Sequence, residues 1–143
     1  MEVAQISKIL GGQKVLHVKV HQRRDLISLS DHGVTKDALL NLTRYLRFSL
    51  NQMAELLPIS GRTIQRYSRS KHFNRPTSEQ ILQIAEVAAK GVQVFEDKTN
   101  FLAWMKQSNV ALGGKSPESL LSTRFGTQMV LDELGRIEHG VVS

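Results

Sequence analysis

Apolar residues recur at intervals of three and four along most of this chain, which is the spacing of amphipathic helices. The pattern predicts a short helix over residues 4–10 that stops at Gly11-Gly12, and a longer helix over residues 36–48. Residues 15–20 are rich in β-branched side chains and predict instead a short strand or an extended lead-in. Apart from that segment, the chain is predicted to be all-α.

The same periodicity continues through the second half of the chain. Thr77 or Ser78 is predicted to cap a helix that ends near Gly91, and Thr99 is predicted to cap the next helix. Ser116-Pro117 is a helix start signal, because proline fits the first helical position. A last helix is predicted from about Thr127 to His139, with Gly140 placed to end it.

Residues 50–69 have the spacing of a helix-turn-helix. Ser49 and Ser60 are predicted to cap its two helices, and Ala54 is small enough to let them approach closely. Five apolar side chains fall where such a unit forms its own core: Met53, Leu57, Ile59, Ile64 and Tyr67. Pro58 stands in the turn where a glycine is usual, and its fixed φ is compatible with a turn.

With those apolar positions turned inward, the second helix presents polar and basic side chains outward. Such residues contact phosphates and base edges when a recognition helix enters the major groove. The predicted DNA-binding residues are Ser60, Arg62, Thr63, Gln65, Arg66, Arg69 and Lys71. An ordinary helical hairpin with a solvated basic face is the alternative.

The charge distribution favours the DNA-binding interpretation. The chain has a formal net charge of +6. Residues 36–76 hold eight basic and two acidic side chains, so the positive charge is concentrated around the helix-turn-helix. Phosphate neutralisation requires such a concentration.

Composition argues against several other classes of protein. With 143 residues and no cysteine, the chain suits one domain or two small ones in a reducing cytoplasm. No apolar run approaches the ~18 residues that span a bilayer, and no signal pattern precedes the first helix. We therefore predict a cytoplasmic protein without membrane association.

Enzymatic chemistry finds no support in the residues. The five histidines are scattered, and there is neither a glycine-rich phosphate loop nor a GxSxG motif. We predict no catalytic residues, no metal site and no cofactor.

A second signal lies in the last third of the chain. The run LGGKSPESLL over residues 112–121, followed by Gly126 and by LGRIEHGV over residues 134–141, resembles the Xre/MbcA/ParS-like toxin-binding domain. The resemblance covers roughly residues 99–143, and the upstream part is similar to the N-terminal helix-turn-helix (Xre/Cro-like) domain of the same antitoxins. It implies the antitoxin of a type II toxin–antitoxin pair of the Xre–RES kind. In that family the antitoxin covers the active site of an NAD-consuming toxin and represses the shared operon.

The resemblance also implies which residues meet the toxin. A short tail with a free carboxylate after the last helix is small enough to enter a cleft built for an anionic ligand. The predicted toxin-binding residues are Arg136, Glu138, His139, Gly140, Val141, Val142 and Ser143. Two alternatives stay open, namely a frayed terminus and a structural role in which Arg136 and Glu138 pair within the chain.

The predicted organisation is therefore a DNA-binding and dimerisation domain over residues 1–98 and a small helical toxin-binding domain over residues 99–143. The expected partners are a cognate RES-domain toxin, operator DNA and a second copy of the chain, because one helix-turn-helix reads one half-site. The alternative function is a stand-alone transcription regulator whose C-terminal domain serves dimerisation.

Overall fold

A computed structural model describes residues 2–140, and every regular element in this range is a helix, in agreement with the predicted all-α fold class. Two short 3-10 helices, Val110–Leu112 and Pro117–Leu120, lie between the last two α-helices. The α-helices are α1 (Glu2–Leu10), α2 (Gln13–Leu16), α3 (Arg24–His32), α4 (Lys36–Tyr45), α5 (Leu50–Glu55), α6 (Gly61–Arg66), α7 (Arg75–Phe95), α8 (Lys98–Lys106) and α9 (Arg124–Glu138).

Residues 15–20 were predicted to form a short strand or an extended lead-in, and of these two forms the strand is wrong. The first two residues of the segment end α2, His17 follows in the left-handed conformation, and the chain then runs irregularly to Val20. Leu16 and Val20 are buried in the helical core. Within residues 2–140 there are isolated β-bridges but no strand, so a β-branched segment here has no neighbour with which to form a ladder.

Three helices begin earlier than the apolar pattern predicts. Asn74, rather than Thr77 or Ser78, caps α7, and its side chain accepts from the Thr77 amide. Asp97, rather than Thr99, caps α8 in the same way. Thr123 caps α9 several residues before the predicted start near Thr127. In each case no apolar side chain is buried among the first three residues of the helix, so hydrophobic periodicity detects the helix only after its true start.

The helix predicted over residues 36–48 ends early, at Tyr45. Arg47 has φ 57° and therefore cannot continue a right-handed helix. This break turns the chain towards Ser49, which begins the next helix.

The core is organised around α7, which packs against α1, α3, α8 and α9. Ile81, Ile84 and Ala88 of α7 are completely buried. A Cβ atom at Gly91 would lie 2.0 Å from the ring of Phe101, so only glycine lets α8 pack this closely on α7. The same helix thus contacts α3 of the N-terminal region and both α8 and α9 of the C-terminal region, and the boundary predicted between residues 98 and 99 falls in the first turn of α8.

Candidate functional site

Side-chain caps fix the start of both helices of the helix-turn-helix. The Ser49 hydroxyl accepts from the Gln52 amide at 3.1 Å, and the Gln52 side chain accepts from the Ser49 amide at 2.8 Å, which is a capping box. The Ser60 hydroxyl accepts from the Thr63 amide at 3.1 Å. Both predicted caps are confirmed.

The inner face of the unit is apolar, as its spacing predicts. Met53 and Ile64 are completely buried, and Leu57 is 8% exposed. Ile59 and Tyr67 are half-buried and pack against the same core. Gly61 was missed by sequence reasoning: a Cβ atom there would lie 3.4 Å from the Cβ of Ala54, so the close approach of α5 and α6 needs a small residue on both helices.

The outer face of α6 carries the predicted DNA-binding side chains. Arg62, Gln65 and Arg66 are exposed, and neither arginine pairs with a carboxylate within residues 2–140. Thr63 is half-buried beside the Ser60 cap, and the two hydroxyl oxygens lie 2.9 Å apart. The assignment of these residues to DNA stays a prediction.

The chain after α6 continues this face. Arg69 is exposed and lies 3.9 Å from a carboxylate oxygen of Asp37, at the limit of an ion pair. The Lys71 ammonium lies 5.6 Å from the centre of the Tyr67 ring. Both cations therefore stay available at the surface, next to the two arginines of the helix.

Lys36 binds backbone carbonyl groups of the segment that follows α6, a role that sequence reasoning did not predict. Its ammonium donates to the Tyr67 carbonyl at 2.9 Å, and its backbone amide donates to the Lys71 carbonyl at 3.0 Å. The amide of Asp37 donates to the Arg69 carbonyl at 2.9 Å. A cation at the end of a helix also stabilises its exposed carbonyls. Lys36 is thus a positioning residue for α6. From the sequence it counted only as one of the eight basic side chains around the helix-turn-helix.

The end of α9 carries the predicted toxin-binding residues, and two of them make contacts within the chain. The Arg136 Nε donates to a Glu133 carboxylate oxygen at 2.8 Å, and the Glu133 side chain is 5% exposed. The Lys90 ammonium donates to Glu138 at 2.6 Å, and this hydrogen bond lowers the pKa of Glu138. These contacts correspond to the structural role left open for Arg136 and Glu138.

Of the remaining predicted toxin-binding residues, His139 and Gly140 belong to the described chain. His139 is exposed, with Nε2 3.9 Å from a Glu138 oxygen. Gly140 has φ 70° and ends α9, as its position predicts. Val141, Val142 and Ser143, which were also assigned to toxin binding, lie outside the described residues.

Residues 2–140 contain no cluster of three histidine, cysteine or acidic side chains arranged to hold a metal ion. Between Glu2 and Gly140, no helix combines the length and apolarity needed to cross a bilayer.

The chain is similar to known proteins over both of its regions. Residues 25–86 match the family model of the antitoxin Xre-like helix-turn-helix domain. Residues 90–140 match the model of the antitoxin Xre/MbcA/ParS C-terminal toxin-binding domain. Both matches confirm the resemblance that the sequence motifs indicated.

Curated relatives carry the name Antitoxin Xre. One from Photorhabdus laumondii is 37% identical over 94 residues, and one from Yersinia enterocolitica is 36% identical over 95 residues. The alignments span 62% and 63% of this chain. They span 64% of the length of each relative, so a third of each relative has no counterpart in the alignment.

A solved structure shares the fold. A chain from the crystal structure of the M. tuberculosis MbcT–MbcA toxin–antitoxin complex superposes with a TM-score of 0.56 and 17% identity, covering 87% of this chain and all of that one. The two family models follow one another along the chain, and together they account for most of its length. The chain therefore contains an antitoxin Xre-like helix-turn-helix domain followed by an antitoxin Xre/MbcA/ParS toxin-binding domain.

Proposed function

We propose that this chain is the antitoxin of a type II toxin–antitoxin system. It neutralises a cognate NAD-consuming RES-domain toxin by covering the toxin's active site with its C-terminal region. It also binds operator DNA and so represses its own operon. One observation carries the proposal. The same chain contains a basic helix-turn-helix and, over residues 90–140, a region that matches the family model of a toxin-binding domain.

The geometry of α6 supports the DNA-binding half of the proposal. Arg62 and Arg66 are exposed and free of carboxylates in the described chain, so no intramolecular ion pair has to break before they meet DNA. Ser60 and Lys36 hold the two ends of the helix. A recognition helix whose ends are fixed presents its side chains with little loss of conformational entropy.

The end of α9 supports the toxin-binding half. Arg136 uses only its Nε toward Glu133, and its side chain remains 42% exposed. A guanidinium has five N–H donors, so four remain for a partner's carboxylate or carbonyl groups. Glu138, the last residue of α9, is held by the Lys90 ammonium. We therefore assign contact with the toxin to Arg136 and the residues after Glu138, with Glu138 itself as an orienting group.

A homodimer completes the proposal. One α6 can read one half-site, and two half-sites about one helical turn apart require two copies of the chain. A cognate toxin bound to each copy would then give a larger toxin–antitoxin complex on the operator.

The decisive test is co-expression with the toxin encoded beside this gene, read out as growth and cellular NAD content. We expect the full chain to protect and a chain lacking residues 138–143 to fail, while both bind operator DNA. The reciprocal variant Arg62→Ala/Arg66→Ala should protect fully and lose operator binding, because removing a bidentate base contact costs on the order of 1–3 kcal/mol.

Three results would contradict the proposal, each in a different way. Full protection by the truncated chain would show that inhibition runs through another surface. If no neighbouring gene is toxic and the intact chain still binds its upstream DNA, the protein is a stand-alone regulator. Unchanged operator affinity in the double arginine variant would remove α6 from its assigned role.

A further inference from the structure

A second group of cations lies outside the helix-turn-helix. Lys8 lies in the last turn of α1, Arg44 lies in the last turn of α4, and Lys98 begins α8. These three side chains line one open hollow of about 490 Å³, together with Asn41 and Tyr45. Arg47, just after α4, adds a fourth cation whose charge acts on Lys98.

These cations are held close together without neutralisation. Within residues 2–140, none of the four forms an ion pair with a carboxylate. The Lys98 ammonium lies 3.9 Å from the centre of the Tyr45 ring, and its pKa is lowered by burial and by the charge of Arg47. Asp97, the nearest acid in sequence, uses its carboxylate to cap α8. An anion placed here would relieve the repulsion between like charges.

Two of the four cations, Arg44 and Lys98, are held by neighbouring side chains. The Arg44 guanidinium donates to the Asn41 side chain at 2.6 Å, and the Asn41 amide donates in turn to the Leu10 carbonyl at 2.9 Å. The Lys98 ammonium lies over the face of the Tyr45 ring. Side chains fixed in this way lose little freedom on binding a ligand.

The position of Arg47 connects the group to the helix-turn-helix. Ser49, the N-cap of α5, follows Arg47 by two residues. In helix-turn-helix proteins the first helix of the pair crosses the DNA backbone. Through Arg47, the cations on α4, on α1 and in the first turn of α8 therefore adjoin the place where α5 is expected to meet phosphate.

We propose that Lys8, Arg44, Arg47 and Lys98 form a second DNA-contact surface, which binds backbone phosphates flanking the sequence that α6 reads. This inference rests on the proposed DNA-binding function. Phosphate contacts of this kind carry no base information, but they raise affinity and its dependence on salt. The protein then protects a longer stretch of DNA than its helix-turn-helix alone can cover.

The test compares DNA affinity across salt concentrations for the variant Lys8→Gln/Arg44→Gln/Arg47→Gln. A matched control, Lys106→Gln/Lys115→Gln/Arg124→Gln, removes as many exposed cations from the C-terminal region. The probes are the DNA upstream of the gene in a duplex of ~40 base pairs and a version trimmed to the operator core. Thermal melting of both variants checks that each is folded.

We expect the log–log salt slope of the first variant on the long duplex to fall by about 0.9 for each phosphate that the protein no longer neutralises, and the control to behave as wild type. Wild type should also bind more weakly when the duplex is trimmed, whereas the variant should not. If the triple variant does not fold, the single variant Arg47→Gln, at an exposed position, takes its place. Its salt slope on the long duplex should fall by about 0.9, the change expected for one lost phosphate contact.

An unchanged slope and an unchanged effect of trimming would overturn the inference while leaving the proposed function intact. A loss of toxin co-purification with normal DNA affinity would also overturn it, and would assign the surface to the toxin instead. The proposed function fails separately, if Arg62→Ala/Arg66→Ala binds the long duplex as tightly as wild type.

Discussion

At the residue scale, two glycines of α9 have opposite surroundings. A Cβ atom at Gly126 would lie 1.8 Å from the carbonyl oxygen of Leu120, which belongs to the backbone and cannot rotate away. A Cβ atom at Gly135 would meet nothing within 4 Å. The glycine at position 126 is therefore required by packing between α9 and the preceding 3-10 helix.

Substitution by alanine should separate these two glycines. We expect Gly126→Ala to destabilise the protein by about 3 kcal/mol, the upper range for an overpacked site. Gly135→Ala should stabilise it by about 0.5–1 kcal/mol, because alanine reduces the entropy of the unfolded chain and is a better helix former. Urea unfolding at neutral pH measures both changes. Equal stability of the two variants would contradict this account.

Glu118 is a carboxylate with an unsatisfied oxygen. Its Oε2 is buried without a hydrogen-bond partner, and burial raises the pKa of the carboxyl above its usual 4.5, against the opposing charge of Lys106. A folded-state pKa above the unfolded one means that the folded protein binds the proton more tightly. The ionised group therefore reduces stability above its folded pKa, and this penalty disappears as pH falls to about 4.5.

The neutral variant Glu118→Gln should consequently be more stable than wild type at neutral pH, with a difference that shrinks as the pH approaches 4.5. Melting temperatures of the two proteins, compared at several pH values, test this. Glu96→Gln is the control, because that side chain is exposed and forms no ion pair within residues 2–140. A pH-independent difference would show that Glu118 acts through packing rather than charge.

At the element scale, Ser60 combines a cap with a predicted DNA contact. Ser60→Ala should lower stability by about 1 kcal/mol through loss of the hydrogen bond to the Thr63 amide. Ser60→Asp keeps a good cap but places a negative charge at the predicted phosphate surface, so it should be stable and bind DNA weakly. Thr123→Asp, at the equivalent cap of α9, should retain normal DNA affinity.

Melting temperature and operator affinity, measured on the same preparations, separate the two roles of Ser60. If Ser60→Asp binds DNA as wild type does, Ser60 is a cap only. Its place among the DNA-binding residues would then be withdrawn.

How far each element could be predicted depends on where its signal lies. Ser49 and Ser60 were found because a cap residue stands directly before a helix with apolar spacing. Asn74, Asp97 and Thr123 were missed because no apolar side chain is buried among the first three helical residues after each cap. Periodicity records burial, and burial begins later than the backbone hydrogen bonds that define a helix.

The candidate site shows the same limit. The outward residues of α6 follow from helical spacing around Met53 and Ile64, so their exposure was predictable. The role of Lys36 was not, because its partners Tyr67 and Lys71 are distant in sequence and only the fold brings them together. The hydrogen bond between Lys90 and Glu138 likewise joins two helices that no local pattern connects.

At the scale of the whole molecule, α7 joins the two functional regions in one core. Val130 and Leu134 of α9 are completely buried, and α9 packs on α7. The Gln80 side chain donates to the Leu121 carbonyl, and the Thr127 hydroxyl lies 2.9 Å from Gln83. The proposed boundary near residue 99 therefore divides functions, while the apolar core continues across it.

A fragment of residues 1–98 should accordingly be much less stable than the full chain, because it exposes the face of α7 that α8 and α9 cover. We expect the full chain to unfold in one cooperative calorimetric transition. The fragment should melt at a lower temperature or bind a hydrophobic dye in its native buffer. A fragment that melts as sharply and as high as the full chain would show that residues 1–98 fold independently.

The length of α7 has a consequence for how the protein is arranged on DNA. This helix has 21 residues and is therefore about 31 Å long. It begins after the loop that follows α6, and its Lys90 pairs with the end of α9. A copy docked through α6 thus presents its C-terminal end at one fixed angle around the double helix.

Two copies on half-sites a full turn apart, about 34 Å, would then carry their toxins on the same side of the duplex. An insertion of half a turn would place the toxins on opposite sides, although each copy would still bind its own half-site. The spacing between half-sites, a property of the DNA, would in that case decide whether two bound toxins can touch.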